Sequence, residues 1–409
     1  MRQLVQRPWL IVLIAALGHL MAYLVIRPDR QPYLWEYGII ARHLMRGQGF
    51  ALLGPAELPV PTAMQEPFYP IVMAGFLRFV PAPFIALLAV QSAVWIGTAA
   101  LYARLSARCL GLRPEPVWLV LALWPPHVVY ALKAAPLIFR CAALALVLLA
   151  ALALHERPTF RRVLALGGAL GLAALVRATY QALPLLLLVF FLAGPAPRRP
   201  RLLGLAAAVA LGFLALLPWP LRNLATIGAF VPATTSVGYS LMLGNQADVD
   251  GSLTREAGDR VIVGQPRGFF EQHELVVDRE LRRRVVQAWW DRPGHYLARY
   301  ARKLAWLWTW YPEVGWRYPA RWILPYQVLW SLTLPLAILG YVRACRSGVP
   351  HPHWPLATCA FLLALYAFFF ANLRLRFECE PLLVAYAVYA VSRIRWPGAG
   401  YASSRRQAS

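Results

Sequence analysis

Carboxylate side chains follow the first apolar run of this chain, where they could take part in proton transfer. Glu36 lies within residues 33–47, whose apolar positions recur at helical spacing and predict a helix lying on a membrane surface. A carboxylate at the edge of such an apolar stripe is expected to be partly buried, which favours proton acceptance. Glu36 is therefore the first candidate for a general base. Asp29 and Glu66 compete with it, although Asp29 has neighbouring arginines to pair with and Glu66 can be read as a loop acid.

Several cationic and amide side chains lie near the predicted ends of apolar spans, where they could bind a phosphate group. The guanidinium fork matches phosphate oxygens, and two side chains in positions 374 and 376 converge if the backbone is extended. The alternative for each residue is to anchor its helix at the membrane interface. The candidates for phosphate binding are Arg222, Asn223, Arg374, Arg376, Lys133 and Lys303.

Five further residues are predicted to support such a site. His43 follows Glu36 by seven residues and so borders the same helix edge. Arg177 lies between two apolar segments, which is costly unless it serves a cavity or a partner. Glu380 is placed to orient one of the two nearby arginines. The supporting candidates are Tyr37, His43, Tyr69, Arg177 and Glu380.

The composition is that of a membrane protein. The chain of 409 residues is 59% hydrophobic and 14% charged, whereas soluble domains are about 25% charged. The net charge of +23 does not indicate a nucleic-acid partner, because the basic residues cluster at one set of span ends. That distribution follows the positive-inside rule and adds attraction to anionic membrane lipids. The pattern predicts an integral membrane protein with both termini in the cytoplasm.

The apolar runs predict an all-α polytopic protein with about ten transmembrane helices. The N-terminal module is predicted to cover 1–218 with a first outer loop at 27–82, which contains a second short apolar piece at 68–80 that is interfacial or dips into the membrane. An outer-face segment with an aromatic interfacial helix follows at 219–321, then C-terminal helices at 322–396 and a disordered cytoplasmic tail at 397–409. The predicted spans are 9–26, 83–103, 116–131, 136–154, 163–176, 181–193, 202–218, 322–342, 355–371 and 382–392.

Cofactor motifs do not stand out in the sequence. The five cysteines are scattered and imply neither a disulfide framework nor a zinc site. No nucleotide-binding loop, metalloprotease motif or nucleophile elbow is present. No cofactor is therefore assigned, and a divalent metal is left open.

An ordered set of short motifs resembles the bacterial membrane glycosyltransferases of the GT-C superfamily. The similarity is to family 39, which includes protein O-mannosyltransferases and the lipid A aminoarabinose transferase. The motifs cover most of the chain in order, and each is weak when taken alone. They are Glu36-Tyr37 to Ala41, Leu44, Gly47, Gly49-Phe50, Pro67-x-Tyr69-Pro70, Pro218-Trp219, Arg222-Asn223, Gly228, Phe230, Gly238, Gly244-Asn245, Arg374-x-Arg376 and Glu380-Pro381.

The resemblance implies a GT-C-like helical fold with its active site on the outer face of the cytoplasmic (inner) membrane. It also implies a polyprenyl-phosphate sugar donor, a glycan, lipid or protein acceptor, and a catalytic acid in the first outer loop. That acid maps to Glu36, with Asp29 second. The sequence departs from the family in having Lys133, and no acid, in the turn where relatives often carry a second carboxylate.

Two other interpretations stay open. A transporter or flippase of lipid-linked sugars would need charged residues in the middle of spans, and no symmetry between two halves is visible in the sequence. A catalytically inactive relative is compatible with the missing second acid. If the chain is a glycosyltransferase, Glu36 and the arginines at 374 and 376 are expected to meet in one pocket.

Overall fold

The computed structural model describes residues 7–28, 34–54, 58–193, 198–246, 251, 261, 265, 271–309 and 320–393. Within these residues the chain is mostly helical, with one short pair of strands. Asp29 and the predicted tail at 397–409 lie outside the described residues. The predicted domain boundaries stay predictions.

The helices of the first half leave room for a small hairpin between α2 and α3. In this hairpin β1 and β2 pair antiparallel, with Ala51 opposite Pro61. The helices at 35–45 and 68–79 confirm that these two segments are helical. Their position at the membrane surface stays a prediction. The elements are α1 Pro8–Ile26, α2 Trp35–Met45, β1 Ala51–Leu53, β2 Pro59–Pro61, α3 Phe68–Phe79, α4 Pro83–Leu110, α5 Pro114–Ala122, α6 Pro125–Ala131 and α7 Leu137–Glu156.

The second half continues as helices. A 3-10 helix at Ala178–Ala182 joins α8 to α9. The predicted outer segment contains helices α11 to α14 in its described parts. The elements are α8 Phe160–Val176, α9 Leu183–Ala193, α10 Arg198–Leu216, α11 Pro218–Ile227, α12 Val237–Asn245, α13 Glu274–Asp291, α14 Pro293–Trp308, α15 Ala320–Arg346, α16 Trp354–Ala367, α17 Leu373–Phe377 and α18 Glu380–Ser392.

Long apolar helices identify this chain as a mostly helical membrane protein. In the described residues, five helical stretches are long and apolar enough to cross the ~30 Å hydrocarbon core. The number of about ten spans stays a prediction, because the shorter apolar helices have only 10–17 residues. The five are Pro8–Ile26, Pro83–Leu110, Leu137–Glu156, Arg198–Ile227 and Leu324–Arg346.

Two of the predicted segments have a different local structure. The predicted span 116–131 is two helices, because Trp124 is extended and Pro125 and Pro126 cannot continue the preceding helix. The extended turn predicted around 374–376 is wrong, since residues 373–377 form the short helix α17. Its N-cap Asn372 accepts a hydrogen bond from the backbone N–H of Arg374 through its side-chain oxygen.

The C-terminal helix α18 lies in the interior of the molecule. Most of its side chains, from Glu380 onward, are buried. It packs so closely on α15 that a Cβ atom added to Gly340 would lie 1.9 Å from the carbonyl oxygen of Tyr386. The preceding segment, residues 372–379, is also mostly buried, and it carries Arg374, Arg376 and Glu378.

Candidate functional site

Four charged side chains from separate parts of the chain meet in the interior, and we call them the charged cluster: Glu66, Arg140, Arg177 and Glu378. Arg140 Nη2 lies 3.7 Å from Glu66 Oε2, and Arg140 Nη1 lies 3.7 Å from Glu378 Oε1. Arg177 Nε lies 3.9 Å from Glu378 Oε1. A close charge-assisted hydrogen bond is about 2.8 Å long. The cluster is therefore paired by charge but not by close contact.

Helix ends place these four side chains. Glu66 precedes α3, Arg140 lies in the first turn of α7, and Arg177 is the extended C-cap residue of α8. Glu378 follows α17 directly. Side chains at helix ends can converge without interrupting a backbone ladder. The Glu66 carboxylate is fixed further because its Oε1 accepts a hydrogen bond of 3.2 Å from the backbone N–H of Ala178.

Tyr37 borders the charged cluster on the side of α2, and the charge of Arg374 also reaches its hydroxyl. Arg140 Nη2 donates to the Tyr37 hydroxyl oxygen at 3.4 Å. Burial raises the pKa of Tyr37, and the charges of the nearby arginines, including Arg374, act on it in the opposite direction. Arg374 is half-buried, and its guanidinium has no hydrogen bond or ion pair within the described part of the chain.

Among the residues that the structure describes, the charges at this site do not balance. Arg140, Arg177 and Arg374 supply three positive charges, against two negative charges from Glu66 and Glu378. The side chains of Arg140 and Glu66 are each only 12% exposed. A surplus cation in a poorly solvated site is costly unless an anion can join it. The arrangement can therefore accept one further anionic group beside a carboxylate.

Glu36 is not part of this cluster. The prediction that it is partly buried beside the apolar stripe is wrong: Glu36 is exposed, whereas the next residue, Tyr37, turns inward. Successive residues on a helix point about 100° apart, so only one of the two can face the cluster. No hydrogen bond or ion pair joins Glu36 to Arg374 or Arg376, all three of which the structure describes.

Arg376 and Glu380 form a second group, which we call the sealed pair. Arg376 Nε lies 3.2 Å from Glu380 Oε1, and Arg376 Nη1 donates to the carbonyl oxygen of Thr309 at 2.7 Å. The hydroxyl of Tyr326 contacts both charged groups, and Trp124 Nε1 donates to Glu380 Oε2 at 2.8 Å. Both side chains are at most 1% exposed. Glu380 contacts one of the two arginines that it was predicted to orient. The protein itself occupies the groups of Arg376 that were predicted to bind phosphate.

Arg222 and Asn223 hold the β-hairpin. Arg222 donates 2.7 Å hydrogen bonds from Nη2 to the carbonyl oxygen of Phe50 and from Nη1 to that of Thr62, which are the residues flanking the two strands. Asn223 is fully buried and donates to the carbonyl oxygen of Val231 at 2.9 Å. The structure therefore gives both residues protein partners instead of an open phosphate-binding position.

The two lysines also have protein contacts. Lys303 is fully buried, and its Nζ donates to Asn245 Oδ1 at 3.1 Å and to the carbonyl oxygen of Phe369 at 2.8 Å, with two more carbonyl oxygens within 3.4 Å. We call this arrangement the lysine cage. Lys133 lies with its Nζ 5.4 Å from the centre of the Tyr130 ring. Neither lysine shares a contact with the charged cluster in the described residues.

The remaining supporting residues fix the first loop. His43 is buried, and its Nδ1 hydrogen-bonds the carbonyl oxygen of Ala51 at 2.8 Å, which ties α2 to β1. Tyr69 packs edge-on against Tyr37 at 5.5 Å and donates to Gln91 Oε1 at 2.8 Å. These contacts place Tyr37 beside Arg140.

Four residues of the site were missed by sequence reasoning: Arg140, Tyr180, Glu378 and Tyr366. Glu378 lies between Arg376 and Glu380 in the sequence, and an acid inside a buried segment was a usable signal. Arg140 offered a similar signal, as a single charge at the start of a long apolar run. The two tyrosines carried none, since tyrosine is common in membrane helices for packing reasons.

Metal ligation has no visible centre in the described residues. No group of three or more His, Cys, Asp and Glu side chains within them lies close enough to hold an ion.

Comparison of the chain with protein-family models, curated proteins and solved structures found no match.

Proposed function

We propose that this protein is a membrane glycosyltransferase that transfers a sugar from a polyprenyl-phosphate donor to a glycan, lipid or protein acceptor. The observation that carries the proposal is the surplus positive charge of Arg140, Arg177 and Arg374 beside the Glu66 carboxylate. A phosphate-linked donor needs cationic groups for its phosphate and a carboxylate for the acceptor proton. The resemblance to GT-C enzymes supports the same reaction.

In the proposed reaction an acceptor hydroxyl oxygen attacks the anomeric carbon of the sugar. The bond between that carbon and the phosphate oxygen breaks, and its electron pair stays on the phosphate. The hydroxyl proton passes to the carboxylate of Glu66, which replaces Glu36 as the proposed base. Arg140, Arg177 and Arg374 stabilise the charge that develops on the leaving phosphate, since a guanidinium matches two phosphate oxygens.

The site is proposed to lie at the outer face of the bacterial cytoplasmic membrane, with both termini in the cytoplasm. Support comes from the arginines at the opposite span ends, such as Arg104, Arg108, Arg161 and Arg162, which the positive-inside rule assigns to the cytoplasm. Glu66, by contrast, belongs to the first loop, between α1 and α4. The polyprenyl chain would then remain in the bilayer while its phosphate reaches the cluster.

A matched pair of variants tests the base. Glu66→Gln and Glu36→Gln each remove one carboxylate from the first loop, but only Glu66 contacts Arg140. In a membrane transfer assay with labelled polyprenyl-phosphate sugars, we expect Glu66→Gln to lower the rate about 10²- to 10⁴-fold. Loss of transfer in Glu36→Gln alone would return the role to Glu36. Full transfer in Glu66→Gln would remove the carboxylate from the proposal.

A transporter of lipid-linked sugars is the second candidate, and one observation favours it. The charged cluster places incompletely paired charges away from water, and such charges in membrane proteins often line a substrate path. The same assay separates the two functions. Movement of the labelled lipid between leaflets without release of polyprenyl phosphate would support transport over transfer.

A further inference from the structure

Glu378 is the most buried member of the charged cluster, and the proposed reaction assigns it no step. Its side chain has no exposed surface. Oε2 accepts hydrogen bonds from the hydroxyl of Tyr180 at 2.9 Å and from that of Tyr366. Oε1 accepts none in the described part of the chain. A buried oxygen without a donor is costly, so the fold holds this carboxylate in place against a local penalty.

Oε1 of Glu378, which accepts no hydrogen bond in the described residues, faces two guanidinium groups across a short gap. Arg140 Nη1 lies 3.7 Å from it and Arg177 Nε lies 3.9 Å from it, about 1 Å beyond a close charge-assisted contact. Arg140 Nε is also buried without a partner in the described residues. Because Tyr180 and Tyr366 hold the other carboxylate oxygen, Glu378 cannot close this gap without losing them. Both arginines are therefore held by its charge without being fully neutralised.

We infer that Glu378 is a built-in counter-anion that positions Arg140 and Arg177 and limits how tightly the site holds phosphate. The inference rests on the proposed function, since phosphate is the group that would share the two arginines. A bound phosphate is attracted by both guanidinium groups and repelled by the carboxylate. An enzyme that releases polyprenyl phosphate in every turnover needs such a limit. Glu378 is a positioning residue, because it acts through the arginines.

Glu378→Gln removes the negative charge of this side chain and nearly keeps its shape. The full chain in nanodiscs is titrated with farnesyl phosphate, and with farnesol as the uncharged probe. Removing one negative charge beside the arginines is expected to tighten farnesyl phosphate binding about tenfold, with farnesol binding unchanged. Glu380→Gln is the matched control, because it neutralises a buried glutamate two residues away that contacts Arg376 instead. We expect the control to leave the affinity for farnesyl phosphate unchanged.

Removing the tyrosine hydroxyls gives a test of opposite sign. Tyr366→Phe and Tyr180→Phe keep the charge of Glu378 but free its carboxylate to close on the arginines. The carboxylate then competes better with phosphate, so farnesyl phosphate should bind several-fold more weakly. A general loosening of the structure would move Glu378→Gln and the tyrosine variants in the same direction, whereas a counter-anion moves them in opposite directions.

Two results would overturn the inference. One is Glu378→Gln binding farnesyl phosphate no more tightly than the wild type. The other, decisive if Glu378→Gln does not fold, is unchanged or tighter binding in Tyr366→Phe. A wild type that shows no phosphate-dependent binding counts against the proposed function. In that case farnesyl phosphate binding that appears only in Glu378→Gln still supports the role of Glu378 as a counter-anion. If Glu378→Gln does not bind farnesyl phosphate either, that role is rejected.

Discussion

Two arginine–glutamate groups draw residues from the same short segment, 376–380, and differ in how completely they are paired. In the sealed pair, Arg376 and Glu380 lie 3.2 Å apart, with further hydrogen bonds from Trp124 and to Thr309. In the charged cluster, the unpaired oxygen of Glu378 is 3.7 Å or more from its arginines. The same residue types thus make a structural crosslink in one place and an unsatisfied group in the other. Incomplete pairing, and not burial of charge alone, marks the candidate site.

The largest expected effect is on the sealed pair. Arg376→Ala leaves Glu380 buried without its cation, which should lower the free energy of unfolding by about 3–5 kcal/mol. Arg374→Ala removes a guanidinium without a described partner and should change it by less than about 0.5 kcal/mol. Thermal unfolding of the two variants in the same detergent measures the difference. Equal melting temperatures would break the comparison.

Arg374, whose loss should hardly change stability, is expected to matter for sugar transfer. Arg374→Ala removes the surplus charge and should lower sugar transfer about 10²-fold, while Arg374→Lys keeps the charge and should lose less. The measurement is the initial transfer rate at saturating acceptor. Unchanged transfer in Arg374→Ala would show that the charge imbalance is not used for the phosphate.

The lysine cage gives a smaller effect that depends on pH. Lys303→Met leaves several acceptors unpaired and should cost about 1–3 kcal/mol. Burial, with the charge of Arg299, lowers the pKa of Lys303 from 10.5 to about 7. Between about pH 7 and 10.5 the folded protein then binds fewer protons than the unfolded chain, so its stability rises with pH in this window.

Melting curves at several pH values check this sign. The melting temperature of the wild type, relative to that of Lys303→Met, should increase from pH 7 towards pH 9. A difference that stays constant or decreases would show that Lys303 keeps its proton in the fold. Transfer activity is expected to follow stability in this variant, since Lys303 does not contact the charged cluster in the described residues.

The smallest effect is expected at Tyr69. Tyr69→Phe removes one buried hydrogen bond to Gln91 and should cost about 0.5–1.5 kcal/mol. The ring contact with Tyr37 remains, so sugar transfer should fall less than in Arg374→Ala. A large loss of transfer would mean that the ring contact alone does not hold Tyr37 in the site.

Hydropathy predicted most of the long helices, because a long apolar run leaves water and can satisfy its backbone hydrogen bonds within a helix. The helices beginning at Pro8, Pro83 and Leu137 start within a residue of the predicted spans. The break at Pro125 was legible in the sequence as two consecutive prolines, but the apolar run masked it. Amphipathic spacing also predicted the helix containing Glu36, although not which of its polar residues faces inward.

The apolar composition by itself determined that this chain is a mostly helical membrane protein, since a long apolar run leaves water and can satisfy its backbone hydrogen bonds within its own helix. Which charges come together was decided only by the tertiary structure. Glu66 and Glu378 are 312 residues apart in the sequence, and both contact Arg140 because helix ends from distant segments converge. Distance along the chain carries no information about such convergence, and charge type alone does not separate a sealed pair from an open cluster.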